Sequence, residues 1–358
     1  MAMQSEITKK YLFDFDKVLP KLLTYYTKLF GYNYREQIQQ ALNSTTIFVY
    51  AQNDMWIEFL KTAHKKGYNA KMRGELKKGI DYVVSLSQDN QPLVNECIEG
   101  IAIKIDESQE HIKDIINKMI NAKTNGAYVS GTDKDYNFNG SVLFVMSKER
   151  LFGDLLIFHE FLHAISCKIK TIEGQRYQYE GFIYPRKLYK KDETPLEPTK
   201  MDMLCSDLNE TATQYFANKL FKEHIGKKQS FINVEDDCSG YNNALLVMNY
   251  MYEKLEPQMK ELYINADYEG LIKFFGQQNF EKILDINTYF LRQCDINLFV
   301  PVVSFFAKKP VSAGDIIKNT SILPQMGEEG YHPAFDKIRE IKAITESLSK
   351  KVQTKNND

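Results

Sequence analysis

The chain has 358 residues and a formal net charge of −1, and 43% of its residues are apolar. That apolar fraction supports a sizeable core and excludes global disorder. The near-neutral balance supplies no field for nucleic acid, an anionic membrane or a polyacidic substrate, so no nucleic acid and no membrane is expected as a partner.

The opening stretch "MAMQSEITKKYLFDFDKVLPKLL" has no continuous apolar region followed by a small-residue cleavage site, so no secretory signal is read there. No apolar run reaches the ~20 residues needed to span a bilayer. Cys97, Cys167, Cys205, Cys238 and Cys294 are widely spaced and form no Cys-x-x-Cys pair, which points to free thiols in a reducing compartment. The expectation is a soluble cytoplasmic protein.

Residues 1–124 read as mainly helical by their apolar periodicity. The segment "DKVLPKLLTYYTKLFG" stops at Gly31, and "DESQEHIKDIINKMINAK" carries Ile112, Ile115, Ile116 and Met119 on one stripe. Between 125 and 147 the texture changes to Gly, Asn and Asp around two β-type runs, Ala127 to Ser130 and Ser141 to Met146. A helix is predicted over 148–170, with Ser147 as a simple cap and Leu151, Leu155, Leu162 and Ile165 at helical spacing. Residues 171–198 read as a long connection with four tyrosines, two glycines and three prolines. The next segment, from Thr199 to Gly226, reads as one helix, with Thr199 and Asp202 in capping-box spacing and Gly226 as its stop. From Tyr241 onward the pattern is again mainly helical, ending in the polar tail "SKKVQTKNND". The fold class is α+β, predominantly helical, in three regions: helical 1–124, a core over 125–240, and helical 241–358.

Chemistry concentrates in "DLLIFHEFLHAISC", residues 154–167. Helix positions i and i+4 share a face, so His159 and His163 can aim both imidazoles at one point. Neutral imidazole is a good zinc ligand. Glu160 is rotated about 100° from His159 and reaches beside a metal rather than onto it, where a carboxylate can take a proton from a water held by the metal. Flanking Phe158, Phe161, Leu162 and Ala164 bring no competing charge. A glutamate and two histidines in so apolar a helix are hard to bury without a partner.

A catalytic zinc needs a third protein ligand and an open position. His224 sits beside a helix end and His332 precedes a proline, and both read as ordinary histidines. The better candidate is Glu210 in "LNETATQYFA", 47 residues after His163, with small, uncharged Thr211, Ala212 and Thr213 beside it.

"HEFLH" with the downstream "NETATQ" resembles the gluzincin type of zinc metallopeptidase, a resemblance that covers about residues 125–220. The metzincin pattern does not fit, because positions 166 and 169 hold Ser166 and Ile169. The resemblance implies a zincin-like core in which a small twisted sheet lies over the active-site helix. It implies one zinc ion bound by His159, His163 and Glu210, with Glu160 as general base in hydrolysis of a peptide or protein substrate. Many gluzincins place an acidic residue four positions after the ligand glutamate; here that position is Gln214, and Thr213 or Asp207 could serve instead, beside Asn209. The family also implies a Tyr or His donor to the oxyanion, for which Tyr241 is the first choice and Tyr184 the second. Two other readings fit the same sequence: a catalytically silent zincin-like binding or regulatory protein, and a helical interaction protein.

Overall fold

The structure, a computed structural model, describes residues 21–51, 81–85, 126–132, 138–146, 154–188, 196–224 and 239–355. It is mainly helical, with two small sheets. The chain divides into two compact units: Met1–Cys167 with Phe216–Asn233, and Lys168–Tyr215 with Val234–Asp358. The stripe at Ile112 to Met119, the Ser147 cap and the Gly226 stop lie outside the described residues, as do Cys97 and Cys238.

In the first unit, helix α1 (Leu22–Phe30) buries Leu22, Leu23, Tyr26 and Phe30, one stripe at helical spacing. Gly31, at φ +112°, ends it, donating its N–H to the Thr27 carbonyl. Helix α2 (Arg35–Asn43) buries Ile38 and Leu42, an i, i+4 pair. A four-stranded sheet follows, built from β1 (Thr45–Ala51), β2 (Asp81–Ser85), β3 (Gly126–Thr132) and β4 (Phe138–Met146). Its order is β2-β1-β4-β3, with β1 parallel to both β2 and β4 and β3 antiparallel to β4. The register pairs Ile47 with Val142 and Gly126 with Phe144. The two runs expected between 125 and 147 are β3 and β4. Strands β1 and β2 fall where the periodicity reads as helical. "TTIFVYA" and "DYVVS" are rich in β-branched and aromatic residues, and sheet pairing decided their conformation.

Helix α3 (Asp154–Ser166) packs against β3, β4 and α2. Ile157, Phe158, Phe161, Leu162 and Ile165 are fully buried, so it is apolar around most of its circumference. Two side chains anchor it through carbonyls. Tyr26 Oη donates to Phe158 O at 3.0 Å, and Gln37 Nε2 donates to Ile165 O at 3.4 Å.

The helix stops at Ser166, four residues before the expected end, and 171–198 is not a bare connection. Strands β5 (Cys167–Ile172), β6 (Gln175–Glu180) and β7 (Arg186–Lys187) form a three-stranded sheet in that order. Glu173 and Gly174 both have positive φ, 51° and 79°, the signature of a two-residue primed hairpin turn between β5 and β6. β6 and β7 are antiparallel, pairing Tyr177 with Lys187 and Gln178 with Arg186. Alternation in "CKIKTI" and "QRYQYE" carries the strand period, which a helix-period window overruns.

Helix α4 (Lys200–His224) opens on the expected capping box: Thr199 N–H donates to Asp202 Oδ2 at 2.6 Å, and Asp202 N–H donates to Thr199 Oγ1 at 3.2 Å. The remaining helices belong to the second unit. They are α5 (Ser239–Lys254), α6 (Glu256–Ile264), α7 (Tyr268–Phe275), α8 (Gln277–Arg292), α9 (Val300–Phe306), α10 (Ala313–Lys318) and α11 (Ala334–Lys355). α5 is the hub, packing on α8, α10 and α11 through buried Leu245, Met248, Met251 and Tyr252. Asp267 caps α7 through Gly270 N–H, and Ser312 with Asp315 forms a full capping box on α10.

Cys167, Cys205 and Cys294 are buried. Burial pushes the Cys205 thiol up to about 12, so it stays a protonated core residue. No helix among the described residues is long and apolar enough to cross a membrane.

The Tyr26 hydroxyl is a polar tie between α1 and α3. Tyr26→Phe keeps the ring packing and removes the hydroxyl that makes that bond, and is expected to lower unfolding free energy by about 1 kcal/mol in a urea titration.

Candidate metal centre

His159 and His163 lie one turn apart in α3, and both are buried, at 6% and 5% exposure. Their Nε2 atoms are 3.2 Å apart, with the rings inclined at 65°. Either one Nε2 carries a hydrogen and donates to the other, or both lone pairs turn to a common cation, according to the tautomer. Two zinc ligands at ~2.1 Å in tetrahedral geometry stand about 3.4 Å apart, close to the spacing seen.

A ligand atom from each of His159, His163 and Glu210 lies within 4.8 Å of the other two. Glu210, in the middle of α4, is half-buried. Two imidazoles and one carboxylate are the donor set of a catalytic zinc site that keeps a fourth position open. The residues present therefore fit the metal that the sequence pattern implies.

Glu160 is buried at 4% exposure, and Gly126 of β3 is its close neighbour. A Cβ built at Gly126 would stand 2.6 Å from Glu160 Oε1 and 2.9 Å from its Cδ, so a side chain there would have to displace this carboxylate. The Tyr128 ring runs parallel to the His163 ring, at 6.5 Å between centroids. Neither Gly126 nor Tyr128 is singled out by the sequence. An isolated glycine opening an apolar strand is the one available signal, and it marks a close approach without naming the partner.

The other expected site residues are distributed around α4. Asn209 is fully buried and faces the turn after β6: its Oδ1 accepts the Phe182 N–H at 2.9 Å, and its Nδ2 donates to Glu180 Oε1 at 3.4 Å. Gly181 in that turn has φ +48°, and a Cβ there would stand 2.1 Å from Asn209 Oδ1. Thr213 shares a 2.7 Å hydrogen bond with Tyr263 and donates to the Asn209 carbonyl at 2.8 Å. Asp207 is taken by Arg292, whose Nε and Nη2 donate at 2.7 and 2.5 Å, and by Thr288 Oγ1 at 3.0 Å. That bidentate bond holds the Arg292 guanidinium above its ordinary range. Gln214 is buried one turn beyond Glu210.

Tyr241, in the first turn of α5, donates its hydroxyl to Glu210 Oε2 at 3.2 Å. Tyr184 is 40% exposed, and its ring meets Tyr268 edge to face at 5.2 Å. Of the two histidines set aside, His224 stacks on Tyr25 at 4.1 Å and is pushed down by burial. His332 lies against Phe299 at 4.5 Å.

Because Gly126 borders Glu160 so tightly, Gly126→Ala has to push that carboxylate aside. Thermal or urea unfolding is expected to show a loss of about 1–3 kcal/mol from overpacking, and an unchanged midpoint would refute the close approach.

The chain matches no protein-family model, no curated protein and no solved structure.

Proposed function

We propose that the protein is a zinc-dependent peptide hydrolase of gluzincin type, with His159, His163 and Glu210 as metal ligands and Glu160 as general base. The observation that carries this reading is the convergence of those three ligand atoms within 4.8 Å of one another. It is supported by burial of Glu160 one position after the first ligand histidine. A zincin-like core is part of the proposal, and its support is the packing of α3 against β3 and β4.

Zinc in this site would polarise the scissile carbonyl and make water a nucleophile near neutral pH. Glu160 takes a proton from the attacking water and returns it to the leaving amine, so one carboxylate serves first as base and then as acid. Its buried position keeps bulk water from competing for that proton. His159 and His163 orient their Nε2 atoms through the shared helix face, and Glu210 contributes the negative charge that two neutral imidazoles lack. The substrate class is a peptide or protein.

Elemental analysis of the purified protein is expected to find one zinc per chain. Glu160→Gln should keep that zinc and lower turnover of a mixed-peptide substrate by about 10²–10⁴-fold, the usual worth of a positioned base. Retained activity in that variant would sink the mechanism. His163→Ala is expected to lose the zinc, and unchanged metal stoichiometry would remove His163 from the ligand set.

A further inference from the structure

Glu210 brings a negative charge to the site on a long, flexible side chain, and the structure shows what restrains it. Helix α4 presents Asp207 and Glu210 three residues apart, on one face. Each carboxylate has a partner on a helix of the same unit. Asp207 is held by Arg292 and Thr288 of α8, and Glu210 by Tyr241 of α5. The two partnerships differ in chemistry. A guanidinium neutralises the carboxylate it binds, whereas a phenol is a neutral donor and leaves the charge in place. Asp207 is thereby tied into the scaffold by a cation, while Glu210 is oriented by a neutral donor.

We propose that Tyr241 is a positioning residue for the metal-binding carboxylate: its hydroxyl holds Glu210 Oε2 and so sets the rotamer in which Glu210 meets His159 and His163. The inference rests on the zinc-site reading given above. It also changes the role expected of Tyr241. A donor to a reacting oxyanion needs its hydroxyl free to point at the substrate, and here that hydroxyl is engaged with the carboxylate at 3.2 Å. Ordering a glutamate side chain costs rotamer entropy, and a hydrogen bond already made before the metal arrives removes part of that cost from the binding step. Tyr241 therefore acts on metal affinity through Glu210.

Zinc affinity, measured by competition with a chromogenic chelator, separates the possibilities for the unsubstituted chain, Tyr241→Phe and Thr288→Val. Tyr241→Phe is expected to bind zinc about 10- to 100-fold more weakly, the usual effect of losing a hydrogen-bond partner of a metal ligand, with an unchanged metal-free melting temperature. Thr288→Val removes a hydroxyl that bonds the same helix at Asp207, and is expected to leave zinc affinity as it is. Wild-type affinity in Tyr241→Phe overturns the proposal. If that variant also loses turnover, the phenol is instead a donor to the reacting carbonyl. An equal loss of affinity in both variants overturns it as well, since the effect would then be a general loosening of α4. Absence of zinc binding by the unsubstituted chain overturns the metal site itself, and this inference with it.

Discussion

Helix α3 has to keep two imidazoles and a carboxylate inside an apolar interior, and its surroundings are arranged to permit that. Burying polar groups without partners is costly, and a helix that is apolar on most sides offers them none of its own. The two imidazoles are brought to 3.2 Å by the helical repeat itself. Glu160 comes so close to β3 that a side chain there would meet it, and β3 carries Gly126 at that point. The helix in turn is pinned by side chains reaching its carbonyls, from Tyr26 of α1 and Gln37 of α2. These ties fix where α3 lies against β3, and so where Glu160 meets Gly126.

Helix α4 solves a different problem by using adjacent residues for different tasks. Consecutive helical positions point about 100° apart, so Asn209 and Glu210 face different surroundings. Asn209 locks the tight turn at Gly181 and Phe182, where its side chain occupies the space that a Cβ would need. Glu210 turns toward Tyr241. The long C-terminal helices thus have a role beyond bulk: α5 and α8 supply the hydroxyls and the guanidinium that set two carboxylates of α4. One of these carboxylates is paired with a guanidinium, and the other accepts from a neutral phenol.

Much of this was legible in the residues. The His-Glu-x-x-His spacing, the Thr199–Asp202 capping box, the stop at Gly31 and the strand runs near 127 and 141 are local features. Each depends on residues within a turn or a short strand, so sequence neighbours carry the information. Other features were not legible. Strands β1 and β2 depend on pairing with segments far along the chain. The three strands between 167 and 187 begin inside a helical pattern that runs on to Lys170, because periodicity does not mark where one period gives way to another. Asp207 reads as a partner for a histidine, but Arg292, 85 residues away, takes it.

The sequence by itself determined the donor chemistry and the helical phase: which residues can hold a metal or move a proton, and that His159 and His163 must share a face. Both follow from atoms on one helix at 3.6 residues per turn. Only the tertiary structure decided which distant groups serve them. It brought Glu210 to the histidines, Tyr241 to Glu210, and Gly126 to Glu160. Periodicity specifies which face of an element is buried, but not what is buried against it. That choice depends on how whole elements pack, and packing selects partners across separations that no local pattern spans.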